Sequence, residues 1–160
     1  MNKSYSYYFT GMMQALIALL NRVGEFLPQL GLRLLLAYEF WESGVEKYNG
    51  ANWFGDIVTQ FPFPFNLVPV EISWFLATWS ELIGAIALII GLGTRFFSFS
   101  LIILTIVAWV SVHGDNGYNV CDNGFKLPLI YLALFLPLLF SGPGKLSLDH
   151  FVMNRFLGIK

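Results

Sequence analysis

Glu81 is the residue of this chain most able to do chemistry, because it lies within residues 72–92, a stretch of 21 residues with no other charge. A segment so long and apolar predicts a membrane-spanning helix. A carboxylate near the centre of a bilayer costs roughly 2.5–3.5 kcal/mol on insertion scales, and such groups mark function more often than decoration. Glu39, Glu42 and Glu46 lie in an earlier apolar segment. Their i, i+3, i+7 spacing puts them on one helical face. That face should turn toward a helix-lined interior or a water-filled cavity. Counting 1.5 Å per residue puts Glu39 and Glu81 near the same depth, with Glu42 about one turn further out. A Glu39–Glu81 or Glu42–Glu81 meeting would let two carboxylates share a proton. The plainer reading is a protonated, hydrogen-bonded glutamate that only holds helices together.

Other candidates flank these acids. Arg33 either snorkels to the nearer boundary as an anchor or pairs with Glu81 from below. His113 closes the third apolar segment, with Trp109 four residues earlier on the same face. His113 and Cys121 are candidate contacts for a transition metal such as copper, for which soft sulfur is a good ligand. The spacing matches no specific metal motif; a histidine capping helix carbonyls and a spectator thiol are the simpler readings. Arg33, Trp74 and Trp109 are candidate contacts for a quinone. Only aromatic density suggests that cofactor.

The elements that position these residues follow from punctuation. Residues 1–27 predict an amphipathic helix lying in the membrane interface. Thr10, Gln14, Asn21, Arg22 and Glu25 lie on one side; Tyr8, Met12, Leu16, Leu19, Leu20 and Val23 lie on the other. A further span is the alternative. Pro28 suits a first helical turn, and four spans follow at about 28–48, 72–92, 96–113 and 126–140. Asn49-Gly50 breaks the first. The loop after it is rich in aromatics and proline, and FPFPF suits a membrane surface. HGDNGYNVCDNG is dense in turn formers. Gly84, Gly91 and Gly93 suit close helix approach or tight turning. The fold class is therefore all-α, an integral membrane four-helix bundle preceded by the interfacial helix, in a single domain over residues 1–160. Lys3, Arg22, Arg95, Lys145, Arg155 and Lys160 fall on one side, against Lys47 and Lys126 on the other. The positive-inside rule then puts both termini, and the tail at 141–160, in the cytoplasm of an inner-membrane protein.

Composition agrees. The chain has 160 residues, 56% hydrophobic, 12% charged and 18% aromatic, with a mean hydropathy of +0.64. Soluble domains carry about 25% charged residues. A net charge of −1 without a basic run gives no case for nucleic acid. One cysteine excludes an internal disulfide and a CxxC redox pair. Dinucleotide, P-loop and Ser/His/Asp patterns are absent. No cleavable signal or lipidation signal is expected.

The segments GLRLLLAYEFWESGVEKYNG, WSELIGAIALIIGLGTRFFSFSLI and FSGPGKLSLDHF resemble the DoxX family of small four-helix membrane proteins. VSVHGDNGYNVCDNGFKLPLIYL and GPGKLSLDH look most like its HvfX branch. The resemblance spans about residues 28–152. It implies a redox accessory protein, linked to thiol or quinone chemistry, that helps mature or handle a copper-binding, ribosomally made and modified peptide alongside its maturation proteins. Glu81, Arg95, His113 and Cys121 are the matching residues. The alternatives are a non-catalytic docking or assembly partner, for which the aromatic loop at 53–67 would matter most, and a small metal or proton transporter. The lipid bilayer and a second copy of the chain are the further expected partners.

Overall fold

A computed structural model describes residues 3–157. Residues 1–2 and 158–160, with Lys160 of the basic tail, lie outside the described residues. Every regular element described is helical. The chain runs α1 (Lys3–Gly24), α2 (Leu27–Asn49), a short α3 (Phe54–Ile57), α4 (Val70–Ile90), α5 (Thr94–Ala108), α6 (Lys126–Ser141) and α7 (Leu148–Val152).

Local sequence explains the ends. Pro28 sits in the first turn of α2, where a missing N–H costs nothing. Pro69 precedes α4, and Glu71 in its first turn complements the helix dipole. Gly91 ends α4 with φ +69°, its N–H bonded to the Ala87 carbonyl. An added Cβ there would also fall 2.5 Å from Ser147, so both conformation and space call for glycine. After Ala108 the helix widens into a π-type turn over Trp109–His113.

Four helices close a ring in which α2 packs on α4, α4 on α5, α5 on α6, and α6 on α2. Leu36, Ala37, Phe40, Ala85, Leu88, Leu101, Phe135 and Leu138 fill its centre. The outward faces are equally apolar: Leu34, Leu35, Ile83, Ile86, Ile89, Phe99, Ile106 and Leu136 are all exposed. Val70–Ile90 and Thr94–Asn116 are long and apolar enough to cross a membrane, and Lys126–Ser141 is a shorter apolar helix. The charges in α2 lower its hydropathy, although it packs as intimately as the others. Helix α1 makes its main contact with the ring along α2. One end of the ring, the near end, gathers the start of α2, the α4–α5 turn and α7. The far end carries the loops at 50–69 and 114–125.

Candidate functional site

Glu81 is on the inner face of α4 and only 2% exposed. Both its oxygens accept hydrogen bonds from Lys47 Nζ, each at 2.9 Å. Ser43 Oγ donates to Oε1 at 3.2 Å, and Lys47 donates to Ser43 Oγ at 2.8 Å. Ser43 and Lys47 are four residues apart on α2 and so present one face. Between them lies Gly44, where an added Cβ would stand 2.9 Å from Leu82 and 3.1 Å from the Glu81 Cβ. The missing side chain lets α2 and α4 approach closely enough for the ammonium to reach both carboxylate oxygens. Charge-assisted bonds of this kind are about twice as strong as neutral ones. One turn earlier on α4, buried Thr78 turns its hydroxyl onto its own helix, to the Trp74 carbonyl.

The acids expected to meet Glu81 point elsewhere. Glu39 accepts a 2.5 Å hydrogen bond from the Tyr131 hydroxyl of α6. Glu42 and Glu46 are exposed. Glu81 is thus paired with a cation, and the shared-proton carboxylate pair is not formed. The reason is stagger. Gly44 sets the register between the helices, so the level of Glu81 on α2 lies above Glu39.

Arg33 neither reaches the surface nor meets Glu81. It is 2% exposed and ties the near end together. Its Nε donates to the Leu88 carbonyl at 2.7 Å, and Nη2 to Ile89 at 2.8 Å. Its Nη1 donates to Pro143 at 3.0 Å and Leu146 at 2.7 Å. The last carbonyls of a helix lack partners within it, and Arg33 supplies them for α4 while holding the segment after α6. Asp149 completes the knot. Its carboxylate accepts from the Gly93 N–H at 2.7 Å and the Thr94 N–H at 2.9 Å, capping α5. Its own N–H donates to the Gly91 carbonyl.

The far end holds the remaining candidates. Trp74 packs edge-on against Phe54 (5.0 Å) and Trp53 (6.0 Å), in a cluster that includes buried Phe61. Trp109 stacks on Phe125 at 5.1 Å and 15°. His113 Nδ1 lies 2.7 Å from the Asn123 carbonyl oxygen, closing the loop on itself. Cys121 is exposed at the loop tip. Among the described residues, no three His, Cys, Asp or Glu side chains converge where a metal could be held. Arg33 at the near end does not converge with Trp74 and Trp109 at the far end, so the three do not outline one quinone site.

Lys47, Ser43, Tyr131 and Asp149 escaped the sequence reading. For Lys47 the usable signal was the Ser43–Lys47 spacing beside Gly44. For Asp149 it was Ser147 as a helix cap, whose Oγ accepts from the His150 N–H at 3.1 Å.

Residues 29–114 match the family model described as DoxX. A Haemophilus influenzae protein described as "Uncharacterized protein" is 56% identical over 134 residues, covering 84% of this chain and 89% of that one. A second protein from the same organism, under the same description, is 31% identical over 125 residues, covering 74% and 86%. No solved structure matches the chain.

Proposed function

Because the chain belongs to the DoxX family, we propose that it works within a bilayer, as an inner-membrane four-helix bundle with both termini cytoplasmic and α1 lying along the interface. Its buried Lys47–Ser43–Glu81 group handles protons for a redox accessory step at the far, outward-facing end. The observation that carries this reading is a fully paired ion pair buried in the wall of a ring whose centre is apolar. Intramembrane ionisable groups of this kind line proton and substrate paths. Lys47 lies near the outward end of α2 and is 14% exposed, whereas Glu81 is 2% exposed. A proton from outside would therefore reach Glu81 by relay, with Lys47 Nζ giving its proton to the carboxylate and the neutral amine taking the incoming one. The electron-carrying chemistry is left to a partner or substrate. On the resemblance, that substrate is a copper-binding modified peptide handled on the outer face, where His113 and exposed Cys121 lie. Copper would arrive as the peptide's cargo.

The test is a stable but uncharged site. A K47M/E81L variant expressed in a host lacking the native gene should insert normally yet fail to restore growth on copper. Growth at the wild-type level would mean that the pair is only structural. The docking reading keeps one observation in its favour. Phe63 and Leu67 are 79% and 72% exposed on the far-end loop, an apolar surface suited to a protein partner.

A further inference from the structure

A cleft of about 400 Å3 opens at the near end, between the α1–α2 junction, the α4–α5 turn and the segment after α6. Its walls carry both signs of charge. Arg95 is exposed and spends one of its five N–H donors on the Phe140 carbonyl, at 3.2 Å. Lys145 and Glu25 pair with each other across the rim. Phe96, 69% exposed, forms an apolar wall continuous with the outer surface of α5.

We infer that this cleft seats the phosphoethanolamine headgroup of a membrane phospholipid, with phosphate on Arg95 and Lys145 and the ammonium on Glu25. The inference rests on the membrane-spanning reading, which puts the near ends of the helices at headgroup depth. The donor and acceptor inventory selects the ligand. Arginine and lysine want a phosphate. The Glu25 carboxylate at the rim accepts from an N–H donor, which phosphocholine lacks. Phe96 offers the first acyl carbons a surface.

The test is native mass spectrometry of the full chain extracted from vesicles. These contain equal amounts of phosphatidylethanolamine and phosphatidylcholine with the same acyl chains. The wild-type protein should retain the ethanolamine lipid about tenfold over the choline lipid, the worth of one charge-assisted hydrogen bond. E25Q should lose most of that preference while still binding phospholipid. R95Q should bind both weakly, and R95K should keep most binding, which controls for folding. Equal retention of the two lipids, or R95Q indistinguishable from wild type, would overturn the site. Displacement of bound lipid by millimolar O-phosphoethanolamine would assign the cleft to a soluble phosphomonoester and overturn the lipid source. A chain released from vesicles by alkaline wash would fail the membrane reading itself; an inserted chain with no lipid preference fails only the cleft.

Discussion

Replacing Lys47 and Glu81 singly and together separates what the ion pair contributes from what it costs. Charges 2.9 Å apart attract by about 6 kcal/mol at an effective dielectric of about 20. Burying two ions costs several kcal/mol each. These opposing terms leave the intact pair close to neutral against apolar side chains of similar volume. Removing one partner is different, because it strands the other charge at a cost of about 3–5 kcal/mol. K47M should approach the upper end of that range, since Glu81 keeps only Ser43 as a partner and is 2% exposed. E81L should fall toward the lower end, because Lys47 lies near the end of α2 and can swing outward on its long stem. K47M/E81L should recover to within about 1–2 kcal/mol of wild type. Helicity followed by circular dichroism during unfolding of the detergent-solubilised protein gives all four corners of the cycle. Single variants each costing less than about 1 kcal/mol, or a double variant as unstable as the sum of the singles, would refute the reasoning.

Two further outcomes are expected. R33M removes hydrogen bonds to four backbone carbonyls, each worth about 1.5–3 kcal/mol from a charged donor; the segment after residue 141 should become cleavable by limited proteolysis. Wild-type resistance in R33M would show that the knot holds without its arginine. G44V forces a side chain to within 2.9 Å of Leu82 and should lower stability by about 1–3 kcal/mol in the same unfolding assay. G31A, with nothing within 4 Å, is the neutral control.

The helices were largely legible because apolar runs and glycine or proline punctuation are local signals. Glu81 was legible for the same reason, as one charge in an apolar run. Its partner was not. Lys47 near the end of a segment looks like a boundary anchor. Depth counted from assumed span ends assigns Glu39 to Glu81, whereas Gly44 staggers the two helices. Arg33 was singled out without its role, because it binds backbone carbonyls, which every residue has and no pattern advertises. His113 and Cys121 share a short loop, but closure through Asn123 commits one nitrogen of His113 and leaves Cys121 at the tip. Sequence proximity alone could not reveal that.

The Arg33 knot also constrains how the molecule can be made. Its guanidinium belongs to the first helix of the ring, yet two of its four acceptors lie 110 and 113 residues further along the chain. During synthesis that arginine must wait for half of its acceptors until α6 and the loop beyond it have emerged. Assembly of the ring is thereby tied to completion of its final helix, and a chain stalled before residue 143 carries a cationic seam that lacks two of its four acceptors.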